Sequence, residues 1–105
     1  MGAERIAKLF EFLRESPGDL FLQYALAMEY IGLKEHAEAE KILVEIISSD
    51  PVYVPAFQQL GQLYEHLEME DRAIETYQRG IAAARIRQEH KAEREMQTAL
   101  DALTM

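Results

Sequence analysis

Apolar and polar residues alternate along this chain with a helical rhythm that appears twice. Leu26, Tyr30 and Leu33 stand at i, i+4 and i+7, and Leu60, Tyr64 and Leu67 repeat the stripe. A second stripe follows each one, Ile42, Leu43, Ile46 and Ile47 in the first case and Ile74, Tyr77 and Ile81 in the second. Each pair of stripes predicts a helical hairpin, an amphipathic helix followed by its antiparallel partner. The residues between are rich in Ala, Leu, Glu, Gln and Arg, which favour helix. Prolines punctuate the pattern in "SPGD" around Pro17 and in "DPVYVP" at Asp50 to Pro55. Pro51 is expected to end a helix, since it cannot continue the backbone ladder and biases Asp50 away from helix. Pro55 suits the first turn of the next helix, where its missing N–H would be unpaired anyway.

The two stretches repeat at an offset of 34 residues. Leu26 falls on Leu60, Ala27 on Gly61, Tyr30 on Tyr64, Ala39 on Ala73, Leu43 on Tyr77 and Ile47 on Ile81, and Pro17 lies one period before Pro51. Phe57-x2-Leu60-Gly61-x2-Tyr64 followed by Ala73-x3-Tyr77 resembles the tetratricopeptide repeat (TPR), as does Gln23-x2-Leu26-Ala27-x2-Tyr30 followed by Ala39-x3-Leu43 and Pro51. Ala27 or Gly61 lets the first helix of a unit approach its partner, and Tyr30 and Tyr64 fill the space between helices. Four positions depart from the pattern. Gln23 replaces a large aromatic, Arg85 stands where the second unit would have its proline, and Lys34 and Glu68 occupy turns where the family usually has Gly. Those two turns are expected to be strained or reshaped.

The resemblance implies an all-α fold, a short right-handed α-solenoid of about six helices in one domain, residues 1–105, of the small two-repeat bacterial type. The units are expected at 20–53 and 54–87. Residues 3–15, with Leu9, Phe12 and Leu13 at the Leu43, Ile46 and Ile47 positions, are expected to form an N-terminal capping helix. Residues 90–103, with Ala92, Met96, Ala99, Leu100 and Leu103 on one stripe, are expected to cap the other end. A break near Arg87–Glu89 is expected, because a helix running straight on would leave that stripe uncovered.

Composition narrows the function classes. Hydrophobic residues make up 49% and charged residues 29%, as in a globular domain. No apolar run approaches the ~20 residues that cross a bilayer, and no secretory leader pattern opens the chain, so a cytoplasmic protein is the default expectation. The net charge of −8 repels nucleic acid and anionic membrane. Cations gather only in Arg79 to Arg94, with 5 basic against 2 acidic residues, a bias that complements helix C-termini. With no cysteine, disulfides, thiol catalysis and Cys-based zinc sites are excluded. The pairs His36 with Glu40 and His66 with Glu70 offer two ligands each, too few for a structural zinc site. No nucleotide loop, nucleophile elbow or zinc-protease helix is present. No enzyme activity, cofactor or metal is expected.

The family resemblance implies a protein–protein interaction scaffold whose first helices line a concave groove for an unknown protein or peptide. On the matching positions the partner-binding residues are Phe21, Tyr24 and Met28 from the first unit and Gln58, Gln59, Gln62, Glu65 and His66 from the second. Phe21 has a second reading, packing beneath the N-terminal helix. One subclass of the family clamps the carboxylate of chaperone tails with Lys and Asn. Tyr24, Met28 and Gln59 stand there instead, so that ligand is not expected. The alternative function is self-association, a weak homo-oligomer through the seam Met96, Ala99, Leu100 and Leu103 or a solenoid end.

Overall fold

The computed structural model describes residues 2–105, which form six α-helices and, among the described residues, no strand. They are α1 (Gly2–Glu15), α2 (Leu20–Gly32), α3 (His36–Ser49), α4 (Val54–His66), α5 (Glu70–Arg87) and α6 (His90–Thr104). The chain divides into two compact units, one reaching to Ile46 and the other running from Ile47 to Met105.

In the first unit α1 packs on α2. Gly2, Ile6, Leu9 and Leu13 recur on one side of α1 and are half-buried. No residue of α1 is fully buried, and Phe10 and Phe12, on the flanks of that stripe, are 48% and 49% exposed. Phe12 thus stays half exposed at the register where Ile46 is wholly buried. Arg5 reaches Glu29 of α2 at 3.6 Å, a surface pair of small energetic weight. α2 begins at Asp19, whose side chain accepts the Leu22 N–H at 3.1 Å. Such a cap contributes about 1 kcal/mol. Gln23 is half-buried and its side-chain N–H donates to the Pro17 carbonyl at 2.8 Å, so a hydrogen bond replaces the missing aromatic.

The proline turns repeat like the helices. The Asp19 N–H donates to the Ser16 carbonyl, and 34 residues on the Tyr53 N–H donates to the Asp50 carbonyl, both at 3.1 Å. α3 stops at Ser49, just before Asp50, and Pro55 lies in the first turn of α4.

The turns into α3, α5 and α6 share a different construction. Lys34, Glu68 and Gln88 all adopt left-handed backbone, with φ of 61°, 58° and 57°. Each donates its N–H to the carbonyl three residues back, and the following residue donates to the carbonyl five back: Glu35 to Tyr30, Met69 to Tyr64, Glu89 to Ala84. This is the Schellman termination, which pairs the last carbonyls of a helix. None of the three positions carries the glycine that such backbone prefers.

In the second unit α5 packs against both α4 and α6. Phe57, Leu60, Tyr64, Tyr77, Ile81 and Met96 form much of its core. Two glycines set the helix spacing. A Cβ on Gly61 would lie 2.7 Å from Tyr77 Cζ. One on Gly80 would lie 2.5 Å from Met96 Sδ and 2.7 Å from Phe57 Cβ. α5 runs through Arg85, where the period would place a proline, and ends at Arg87. Gln88 and Glu89 then turn the chain into α6.

Candidate functional site

The residues expected to meet a partner lie on α2 and α4. On α2, a run of thirteen residues rich in apolar side chains, Leu26 and Ala27 are buried, Tyr24 and Met28 are half-buried, and Phe21 is 70% exposed. Phe21 therefore projects into solvent and is not tucked beneath α1.

On α4 the division between faces is sharper. Val54, Phe57, Gly61 and Tyr64 are buried along one side, and Ala56, Leu60 and Leu63 beside them. Gln58, Gln62 and Glu65 recur at i, i+4 and i+7, with Gln59 and His66 alongside, and this stripe points outward. Gln62, Glu65 and His66 are exposed, and Gln58 and Gln59 are half-buried. The helical period assigns the two faces, and burying the apolar one fixes how α4 is rotated about its axis.

Hydrogen bonds tie this stripe to the rest of the unit. Gln58 Nε2 donates to Glu95 Oε1 of α6 at 2.8 Å. The Tyr77 hydroxyl of α5 donates to Glu65 Oε2. Burial of Tyr77, and then its bond to and charge repulsion from the Glu65 carboxylate, hold the phenol well above its usual pKa, so it remains a donor. Behind the stripe, Arg79 lies over the Phe57 ring at 5.4 Å and Arg72 over the Tyr64 ring at 5.9 Å.

Neither helical position nor the repeat period showed the Tyr77–Glu65 bond or the role of Gly80. The signal for Gly80 lay in the repeat itself: it falls one period after Ile46, a glycine at the register of a buried isoleucine. Met96 fills the space that a larger side chain would take there.

The face holds polar side chains and little catalytic apparatus. Among the described residues no three His, Cys, Asp or Glu side chains gather as a metal site would need, and no helix is long and apolar enough to cross a membrane. The cations of the 79–94 segment are partly engaged, with Arg85 Nε 2.8 Å from Glu93 Oε2 and Arg87 Nε 4.0 Å from Glu89 Oε2.

Comparison with known proteins places this arrangement. The family model of the tetratricopeptide repeat matches residues 22–53 and 54–87. No curated protein matches the chain. Among solved structures, a tetratricopeptide repeat domain protein from Salinibacter ruber is 38% identical in its solution structure. The match covers 83% of this chain and 88% of that one, with a TM-score of 0.79. Its crystal form gives 37% identity, 82% and 97% coverage and a TM-score of 0.78. The TPR2B domain of yeast Sti1, solved as a complex with pHsp70, shares the fold at 16% identity, covering 98% of this chain and 82% of its own, with a TM-score of 0.88. The fold these proteins share is a non-catalytic scaffold. Two matched hairpins and a relative at 38% identity over most of the chain show that this protein belongs to the tetratricopeptide repeat family.

Proposed function

We propose that the chain holds a peptide or a helix of a partner protein against the outward faces of its first helices. The contacts are Phe21, Tyr24 and Met28 on α2 and Gln58, Gln59, Gln62, Glu65 and His66 on α4. One observation carries this reading. The apolar residues of α4 from Val54 to Tyr64 are buried, apart from Pro55, while its polar residues form a continuous outward stripe. Glutamine amides both donate and accept, which suits the main chain of an extended segment. The pHsp70 complex of the Sti1 domain is in keeping with a partner-holding role for this fold. The partner is a protein, not a nucleic acid or membrane, in accord with the net charge of −8. A cytoplasmic setting goes with the same reading.

The alternative, self-association through α6, has less to work with. Met96, the first residue of the expected seam, is 1% exposed against Gly80, which leaves Ala99, Leu100 and Leu103 half-buried.

A Tyr24→Ala, Gln62→Ala double variant tests the reading by affinity capture from the native cell. Unchanged helicity with the wild-type partners lost is the expected result. An unchanged set of partners overturns the assignment of the face, and loss of helicity shows that these residues belong to the core.

A further inference from the structure

Hydrogen-bonding capacity on the α4 stripe is unevenly engaged. Tyr77 is a buried donor on a rigid ring, and it holds Glu65 through Oε2, which leaves Glu65 Oε1 to the exposed face. Glu95, when ionised, only accepts, so Gln58 must turn its NH2 towards it, and the Gln58 amide oxygen is not used by that bond. Both internal bonds therefore draw on donors and leave acceptors. Among the outward α4 residues from Gln58 to His66 there is no Lys or Arg, and Glu65 carries the formal charge. On α6, Lys91 and Arg94 precede Glu95 by four residues and one. Glu65 lies two helical turns from Gln58, about 10 Å along α4.

From this accounting we propose that the partner segment carries a Lys or Arg side chain, seated on Glu65, with its main-chain N–H groups directed at the Gln58 and Gln62 amides. Tyr77 is the positioning residue. Its hydroxyl fixes one carboxylate oxygen so that the other meets the cation without first losing side-chain freedom. The inference rests on the scaffold reading above and adds the chemistry of the partner: a basic, extended segment, complementary to a chain of net charge −8.

Selection of a displayed random peptide library on the full chain tests it. Enriched sequences are expected to share a Lys or Arg, and a synthetic peptide of the shared sequence is expected to bind less tightly as salt is raised. Glu65→Gln, at an exposed position, is expected to keep wild-type helicity and to weaken that peptide roughly tenfold, the scale of a charge-assisted hydrogen bond. Tyr77→Phe is expected to weaken it too, yet to add nothing in the Glu65→Gln background, a non-additivity that a general packing defect would not produce. Enriched peptides without a basic residue, or equal affinity for Glu65→Gln, overturn the cation seat and leave the scaffold standing. A library that yields no binding peptide overturns both.

Discussion

Lys34, Glu68 and Gln88 occupy left-handed backbone that costs a side chain about 1–2 kcal/mol and a glycine much less. The hydrogen bonds of the turn hold them there, because releasing them would leave helix carbonyls unpaired. Lys34→Gly and Glu68→Gly should each raise unfolding stability by about 0.5–1 kcal/mol in urea titrations, after the greater flexibility of glycine in the unfolded chain is counted. A loss of stability at either position would contradict this account of the turns. Tyr77 gives a second prediction at this scale. Its folded-state pKa lies above the unfolded value, so the folded protein keeps a proton that the unfolded chain releases. Stability from this group is complete below about pH 10 and declines as pH rises beyond it. Tyr77→Phe should flatten that alkaline decline in thermal melts between about pH 9 and 11.

Between elements, the two repeats fill corresponding buried registers with different side chains. At corresponding registers the first has Ala27 with Leu43 and the second has Gly61 with Tyr77, all four buried. The Tyr77 ring leaves no room for a Cβ on Gly61. Gly61→Ala should therefore cost about 1–3 kcal/mol by overpacking, despite the better helix propensity of alanine. Adding Tyr77→Leu should recover part of that loss, a compensation readable in a double-mutant cycle. α6 is anchored through Met96 against Gly80, so Met96→Ala should lower stability by about 2–5 kcal/mol in chemical denaturation. A change below about 1 kcal/mol would mean that α6 is not seated on α5.

Over the whole molecule, what the sequence disclosed was what repeats. The 34-residue period announced the hairpins, and Pro51 and Pro55 marked the passage from α3 to α4. The need to cover the Ala92-to-Leu103 stripe placed the break that α5 and α6 show at Gln88. What stayed hidden was non-periodic. The Tyr77–Glu65 bond joins residues that were read separately, one as core and one as surface, because helical spacing assigns faces within a helix and says nothing about pairs across two. The left-handed Gln88 turn was equally unannounced, since neither Gly nor Pro marks it. Phe12 shows the converse limit: its register matches Ile46, but burial depends on neighbours, and α1 has no fully buried residue.

The scaffold claim is tested most directly by following backbone amide signals of the labelled protein as a selected peptide is added. The account predicts shifts at Gln58, Gln59, Gln62, Glu65 and His66 on α4 and at Phe21, Tyr24 and Met28 on α2. It predicts little change at Glu75, Gln78 and Ala82, which are exposed on the outer side of α5. Shifts centred on those α5 residues, or on Ala99, Leu100 and Leu103 of α6, would contradict it.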